Sequence, residues 1–457
     1  MKDIKKLFGT DGIRGVANVD LTPELVLKIG KAGAKFLGSG SSKKHVIIGR
    51  DTRPSGDFIS NAIISGLLSQ GVDVFNSGIM TTPGVALLIK LLGADGGIVI
   101  SASHNPVEDN GIKFFAKNGT KLTDKQERSI ENYVLEHAGE SAVETAAEND
   151  LPKVSSLVGR CINIDNPYVL YIDYLSHKFT TDLSGLKVAI DCANGAAGTL
   201  APMVFNHFGA DVKAFNCDSS GININKDCGA THPEFISAKT VETSSDIGFA
   251  FDGDADRLIA CDSRGRIIDG DIIIGFCAID MARRGVLKNN CVVTTVMANM
   301  GFDKALSSKG IAIHKTGVGD RYVLEKMVET GCVLGGEQSG HIIFMDISPT
   351  GDGIISALEF LNVLITNNYD IDDIYSVIPK FPQVLKNIKV KDKEKILSSS
   401  KIQSVIERVT AGLGSSGRLL VRPSGTEPLI RVMAEAETRA TAESSVQIVI
   451  DAISSED

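Results

Sequence analysis

At 457 residues, with 43% hydrophobic and 23% charged residues, the chain suits about three compact units and excludes a single small module or a disordered or fibrous chain. Its 47 basic and 56 acidic residues leave a net charge of −9, which excludes a protein living on the electrostatics of nucleic-acid backbones. Any anionic ligand must therefore meet local cations. The first residues lack the apolar core of a signal peptide and no run of about 18 apolar residues follows, so neither export nor a membrane span is expected. Eight cysteines, scattered from Cys161 to Cys332 without a C-x-x-C pair, argue against a zinc site or a disulfide framework and for a reducing cytoplasm.

The apolar run His45 to Arg50 closes on the polar loop Asp51 to Gly56 and is followed by helical spacing at Ile59, Ile63, Ile64, Leu67 and Leu68. Further strands are expected at Val72 to Phe75 and at Gly97 to Ile100, the second ending in Ser101 to Pro106. The same order recurs at Lys187 to Ile190, Ala210 to Lys213 and Ile247 to Phe251, which runs into Asp252 to Arg257. A third copy passes through Cys291 to Thr295, Ile311 to His314 and Cys332 to Leu334, ending in Gly336 to His341. The spacing is loose, so this is a repeat of topology rather than of sequence. Strands alternating with helices imply α/β units with largely parallel sheets, whose ligands collect at the carboxyl ends of strands. All three polar loops fall there.

Between these units, Asn118-Gly119 reads as a hairpin turn, Thr123 to Gln126 as a capping box, and Gly139 to Ser156 as a domain boundary. Asn166-Pro167 reads as an N-cap opening a helix to about Phe179. The tail differs. A strand near Val384 to Val390, a helix near Lys401 to Ala411, strands at Leu419 to Val421 and Leu429 to Ala434, and a final helix are expected. The charged run Lys389 to Lys395 reads as a solvated edge.

Asp252, Asp254 and Asp256 alternate, so an extended loop projects their carboxylates to one side, where they converge on a hard cation. The alternative is an acidic solvated turn, which like-charge repulsion disfavours. An EF-hand needs Gly at the sixth and Glu at the twelfth loop position, but Arg257 and Ser263 stand there. Ser101 to Pro106 sets two hydroxyls beside His104 without a G-x-S-x-G elbow, so a serine near a divalent cation suits phosphoryl transfer better than acyl hydrolysis. By itself the segment reads equally as a capped turn.

Arg422 to Pro428 combines a guanidinium fork, two hydroxyls and a glycine, a set suited to a phosphate dianion or, more plainly, to a hairpin turn. Neither a Walker A loop nor a full G-x-G-x-x-G occurs. Glu337, Ser339 and His341 alternate as donors and acceptors of the kind that read sugar hydroxyls. Phe8 to Gly15 and Arg50 to Arg53 add loop arginines that suit a nearby phosphate or read equally as Gly-rich turns with surface arginines.

These loops in this order resemble the α-D-phosphohexomutases, from Phe8 to about Glu435. The resemblance implies three similar α/β domains with mixed, largely parallel sheets and a smaller C-terminal α+β domain around a central cleft. Domains are expected at 1–157 with the phosphoserine loop, 158–257 with the metal loop, 258–372 with the sugar-binding loop and 373–457 with the phosphate-binding loop. It implies that Ser103 is the phosphoserine, that Ser103, Asp252, Asp254 and Asp256 hold Mg²⁺, and that Arg257 steadies the moving phosphoryl group. Arg14, His104 and Lys113 would lie at the reacting hydroxyl, Lys113 the first choice of general acid/base. Glu337, Ser339 and His341 would bind the sugar, and Arg422, Ser424, Gly425, Thr426 and Arg431 the phosphate not being transferred.

The loop forms are most similar to the branch of the family acting on hexosamine phosphates. The implied reaction exchanges a 6-phosphate and a 1-phosphate through a hexosamine 1,6-bisphosphate, which also primes the serine, on the route to UDP-N-acetylglucosamine and peptidoglycan. A cytoplasmic homodimer binding neither nucleic acid nor membrane goes with it. The competing readings are a phosphoglucomutase or phosphomannomutase, a phosphatase using Asp252 as nucleophile, which Asp256 in place of the expected Thr disfavours, and a silent phosphosugar-binding protein.

Overall fold

The computed structural model describes residues 7–9, 11–37, 43–136, 158–369, 371–424 and 428–456. The boundary expected at Gly139 to Ser156 lies outside the described residues, as do Gly425 and Thr426. The chain divides into two units, Met1–Val296 with His314–Ile371, and Met297–Ile313 with Asp372–Asp457.

The first unit holds three sheets. The first comprises β1 (Ile13–Val16), β2 (His45–Arg50), β3 (Asp73–Ile79), β4 (Gly96–Ile100), β5 (Asp109–Ala116) and β6 (Cys161–Asn163), ordered β1-β5-β4-β2-β3-β6. The second comprises β7 (Lys187–Asp191), β8 (Asp211–Phe215), β9 (Ile247–Phe251), β10 (Leu258–Asp262) and β11 (Ile267–Ile268), ordered β11-β10-β9-β7-β8. The third comprises β12 (Cys291–Thr295), β13 (Ala312–Thr316), β14 (Leu334–Gly336) and β15 (Ile342–Phe344), ordered β13-β12-β14-β15.

One order underlies all three: β3-β2-β4-β5, β8-β7-β9-β10 and β13-β12-β14-β15. The expected topological repeat is present. In each, the third strand runs parallel to the first and antiparallel to the fourth. The antiparallel fourth strand has a simple cause, since a connection of a few residues can only fold back on itself, whereas a parallel partner needs a long crossover. Each polar loop is that short return, between β4 and β5, β9 and β10, or β14 and β15. The chemistry-bearing side chains are thus clamped by backbone ladders on both sides. β4, β9 and β12 are buried along their whole length, as strands covered on both faces must be.

The second unit carries β16 (Gln383–Lys389), β17 (Gly417–Pro423) and β18 (Leu429–Ala436) as an antiparallel sheet with β18 central. Helices Ser400–Leu413 and Arg439–Ser454 close it. Ile430, Val432 and Ala434 alternate on one face of β18, and Ala442, Val446, Val449 and Ile453 recur at helical spacing; the two sets form one core. Each large aliphatic side chain buried this way contributes about 1.5–3 kcal/mol.

Several expectations change. β6 joins the first sheet and β10 and β11 complete the second, so the boundaries set at 157 and 257 cut through sheets. Met297–Ile313 goes with the C-terminal unit, because the Asn299 side chain bonds Phe381 and the Met300 amide donates to Glu435. Asn166 is left-handed, with φ 49°, and makes no side-chain cap; Pro167 alone opens that helix, which ends at Ser176. The capping box does form, with Thr123 and Gln126 bonding each other's amides at 3.0 and 3.4 Å. The Asn118-Gly119 turn closes through Ala116 and Thr120, with Gly119 at φ 78°. Finally, Cys291 and Cys332 form a disulfide although the sequence argued against a framework of them. They lie 41 positions apart and meet because β12 and β14 are neighbours.

Candidate functional site

Ser103 sits just beyond β4, 2% exposed, with φ 52°. A left-handed serine costs on the order of 1–3 kcal/mol, so its surroundings must impose it. They do so mainly through Arg53, which has no exposed surface. Its guanidinium donates to the carbonyls of Ser103 at 3.0 Å, Asn105 at 2.7 Å and Asp109 at 2.9 Å, and to that of Pro106. Its Nε pairs with the buried Asp51 carboxylate at 3.0 Å. Asp51 also accepts from Ser101, whose Oγ accepts the Ser103 amide at 2.9 Å. The Asn225 amide reaches the Ser103 carbonyl at 2.8 Å. Arg53, expected near a phosphate, is instead consumed in holding the serine loop, and Arg50 is turned to Asp57.

So held, Ser103 Oγ donates to Asp252 Oδ2 at 2.6 Å and lies 3.1 Å from His104 Nδ1. Between Asp252 and Asp254, Gly253 passes so close to the serine loop that a Cβ there would lie 2.6 Å from the Ser103 carbonyl oxygen. Only glycine permits that approach. One carboxylate oxygen from each of Asp252, Asp254 and Asp256 lies within 4.8 Å of the others, all three residues being buried. Asp254 Oδ1 and Asp256 Oδ1 are buried and accept no hydrogen bond among the described residues. Burial and the two neighbouring carboxylates push Asp252 well above the ordinary aspartate range. Converging hard oxygens, two of them orphaned, fit a small divalent cation such as Mg²⁺.

The cations around this cluster are equally constrained. Lys113, on β5 and 1% exposed, places Nζ 2.8 Å from Asp254, 3.2 Å from Asp11 and 3.8 Å from Asp256. Burial alone lowers its pKa, but Asp11, Asp254 and Asp256 outweigh it, so Lys113 is held protonated. Asp11 also binds Arg14 at 2.5 Å and Lys121, and Lys121 continues to Asp320. Burial opposes ionisation of Asp11, yet Lys113, Lys121 and Arg14 keep it well below the usual range. Arg14 also donates to the Asn105 side chain at 3.1 Å. His104 goes the other way: burial, then Arg257 and Arg14, lower it to about 4, so its ring is neutral at pH 7.

Arg257 follows the three aspartates, its amide 3.2 Å from Asp252 and its Nε 4.0 Å from Asp256. Its backbone bridges His341, joining the metal loop to the Glu337 loop. Glu337 is buried and accepts the Gly319 amide at 3.1 Å; Ser339 lies in the same turn, exposed. His341, expected to read hydroxyls, faces carboxylates with both nitrogens, Nδ1 at 3.5 Å from Asp256 and Nε2 at 3.8 Å from Asp320. Burial is outweighed by Asp256 and Asp320, and its pKa rises. It braces Asp256.

Within the C-terminal unit, Arg422 and Arg431 are direct cross-strand partners on β17 and β18. Burial and Arg431 lower the pKa of Arg422. Ser424 is buried, its carbonyl accepting from Lys393 at 2.7 Å. Two like charges directly opposite are unfavourable in a sheet unless an anion joins them.

Sequence reasoning missed Asp11, Arg53 as a brace, Thr82, Lys121, Asn225, Asp320 and Lys393. Thr82 donates to Asp254 at 2.5 Å across 172 positions. Asp11 carried a signal, as an acid three residues before Arg14 in the glycine-rich Phe8 to Gly15 segment; the others carried none.

Family models for the phosphoglucomutase/phosphomannomutase α/β/α domains I, II and III match residues 5–140, 169–265 and 269–381, and that for the C-terminal domain matches 385–452. The chain is 47% identical over 449 residues to phosphoglucosamine mutase of Geobacillus thermodenitrificans, covering 98% of each. It is 47% identical over 441 residues to phosphoglucosamine mutase of Desulforamulus reducens, covering 96% of this chain and 97% of that one. Among solved structures, a phosphoglucomutase/phosphomannomutase family protein from Burkholderia thailandensis superposes with a TM-score of 0.82 at 25% identity, over 99% of this chain and 98% of that one. Aspergillus fumigatus N-acetylphosphoglucosamine mutase, in complex with GlcNAc-6P and magnesium, shares the fold, with a TM-score of 0.68 at 19% identity over 98% and 95%.

Proposed function

The chain belongs to the phosphoglucomutase/phosphomannomutase family, the α-D-phosphohexomutases, and from that premise we propose that it is an isomerase interconverting glucosamine 6-phosphate and glucosamine 1-phosphate. Two supports carry the reading. The relatives of that name match over essentially the whole chain, and Ser103 Oγ lies 2.6 Å from Asp252 in a cluster of three carboxylates.

In this mechanism Ser103 carries the phosphoryl group. Ser103, Asp252, Asp254 and Asp256 hold Mg²⁺, which when bound offsets the negative charge spread over the phosphoryl oxygens. The serine phosphate passes to the free hydroxyl of the sugar phosphate, giving a hexosamine 1,6-bisphosphate; the bisphosphate turns over, and its other phosphate returns to Ser103. Bond making and breaking balance, since each transfer forms one P–O bond and breaks another.

Lys113, charged and fixed by carboxylates on two loops, supplies a cation and a proton to the leaving oxygen. His104, neutral at pH 7, is the acceptor for the proton of the attacking hydroxyl. Arg257 lies against the cluster to meet the moving group, and Arg14 orients the loop through Asn105. Glu337 and Ser339 receive sugar hydroxyls, with His341 bracing Asp256 behind them. Arg422, Ser424, Gly425, Thr426 and Arg431 take the phosphate that stays in place; a dianion between Arg422 and Arg431 relieves their repulsion.

The same reading makes the enzyme a source of precursor for UDP-N-acetylglucosamine and peptidoglycan. Cytoplasmic action goes with it, because charged sugar phosphates do not cross a bilayer unaided, and no helix among the described residues is long and apolar enough to span one. A homodimer is proposed from the family resemblance; sedimentation velocity checks it.

³¹P NMR of the protein with glucosamine 6-phosphate, Mg²⁺ and a trace of 1,6-bisphosphate tests the function. Growth of a glucosamine 1-phosphate signal without inorganic phosphate, lost by about 10⁴-fold or more in Ser103→Ala, is expected. Isomerisation of glucose or mannose phosphates alone overturns the substrate, and accumulation of inorganic phosphate alone overturns the mutase.

A further inference from the structure

A second cluster of ligating side chains lies outside this site. Cys291 opens β12, His314 is central in β13, and Cys332 stands two residues before β14. Because β12 lies between β13 and β14, the three residues sit side by side across one sheet. One ligand atom from each lies within 4.8 Å of the others. The Cα atoms of the cysteines are 5.7 Å apart and their sulfurs are joined. Cys291 and Cys332 lie at the amino-terminal ends of the parallel strands β12 and β14, whereas Glu337 follows the carboxyl end of β14.

We propose that Cys291, His314 and Cys332, once the disulfide is reduced, form a second cation site that takes zinc or another thiolate-seeking divalent ion. Two thiolates and an imidazole are the donor set such ions select, and three protein ligands leave a fourth tetrahedral position to water. The surroundings suit a neutral complex: two thiolates cancel a dication, and Val293, Val323, Met327 and Ile343 pack around the sulfurs as an apolar shell. The Thr330 hydroxyl donates to Cys332 Sγ at 3.1 Å, the contact that steadies a thiolate. His314 is only partly buried and offers the way in. A sequence with no C-x-x-C pair gives no hint of this, because the spacing is made by the sheet.

The two states exclude each other. A dithiol reductant breaks the S–S bond by giving up two electrons and two protons, and closes into its own disulfide. The cation then displaces both thiol protons to solvent as it binds. In a reducing compartment the dithiol form prevails, so the cation site is the working state there.

Cobalt reports the difference, because a thiolate ligand gives Co²⁺ a charge-transfer absorption that carboxylates do not. The full chain, reduced with a phosphine and freed of it without air, is titrated with Co²⁺ in excess Mg²⁺. We expect one equivalent to develop the thiolate band, Zn²⁺ to displace it, and the oxidised protein to show none until reduced. Cys291→Ser and Cys332→Ser remove the band, and His314→Ala, which keeps both thiols, weakens binding about 100-fold or more. Retained mutase turnover shows each variant is folded. Absence of the band in the reduced protein overturns the proposal, as does a band that survives in the doubly substituted Cys291→Ser, Cys332→Ser chain, or tight binding unaltered by His314→Ala.

Discussion

Around Ser103, each of the cations Arg14, Arg53 and Lys113 meets a carboxylate at 3.2 Å or less, whereas on the C-terminal sheet Arg422 and Arg431 face each other across two strands. In the first region these cations already have carboxylate partners, although Asp254 and Asp256 each keep one buried oxygen that accepts no hydrogen bond among the described residues. The paired charges were joined when the chain folded, so they position groups and contribute to stability together, and removing one partner strands another in a buried place. In the second region Arg422 and Arg431 stand directly opposite each other, and burial and Arg431 lower the pKa of Arg422, an arrangement that suits an incoming dianion. Substitutions in the first region should therefore damage folding and turnover at once, and those in the second should damage affinity alone.

The strongest test is Lys113→Met. With Asp11 and Asp254 left facing an apolar side chain, thermal or urea unfolding should show a loss of about 3–5 kcal/mol. Turnover should fall about 10²- to 10⁴-fold with the loss of the proposed cation and proton donor. A stable variant with near-normal turnover would erase the contrast between the regions.

Arg53→Lys comes next. The charge survives but the fork is lost, and with it most of the bonds to the carbonyls of Ser103, Asn105, Pro106 and Asp109. Freed of that grip, Ser103 leaves its left-handed conformation. Steady-state kinetics should show kcat lowered about 100-fold with KM little altered. A change confined to KM would mean that Arg53 touches substrate.

Arg422→Ala should spare the fold. Losing one charge-assisted contact of about 1.5–3 kcal/mol lowers kcat/KM roughly 10- to 100-fold, through KM. The unfolding midpoint should stay level or rise slightly as the repulsion with Arg431 disappears. A marked loss of stability would show that Arg422 is bound into the sheet as Lys113 is bound into the serine site.

The smallest effect is on pH dependence. His104 has a folded pKa of about 4, below the ordinary 6.5, so folding favours its neutral ring. Between pH 6.5 and 4 the unfolded chain takes up more protons, and stability falls as the pH drops through that window. The contribution at stake is about 1–2 kcal/mol after allowance for the solvent-facing part of the ring. His104→Gln should remove it and flatten the acid side of a urea-midpoint profile. His341, with a raised pKa, acts oppositely: its contribution is full below pH 6.5 and is lost as the pH rises through its folded value. A steeper acid limb in His104→Gln would contradict the neutral ring.

Much of this was legible in the chain. Ser103 and the alternating Asp252, Asp254 and Asp256 stood out because a candidate cation site and a candidate phosphoryl carrier need particular side chains at short spacing, and such spacing survives in one dimension. The repeat of three strands was legible because each apolar run ends in a polar loop. The alternation of His341 with Glu337 and Ser339 could not show that Asp256 and Asp320, on other segments, face its two nitrogens. Arg53 looked like a phosphate ligand because nothing local shows that it will be buried against four carbonyls.

By itself, the sequence determined the α/β repeat, the polar loops at strand ends, the acidic cluster and the serine, since hydrophobic period and short-range spacing act between near neighbours. Tertiary structure alone decided that Lys113 meets Asp254 and Lys121 meets Asp320, that each polar loop is the return to an antiparallel strand, and that Cys291, His314 and Cys332 stand together. Those outcomes depend on strand order and on burial, which change the energy of a charge or a thiol according to neighbours tens to hundreds of positions away. No local pattern encodes them.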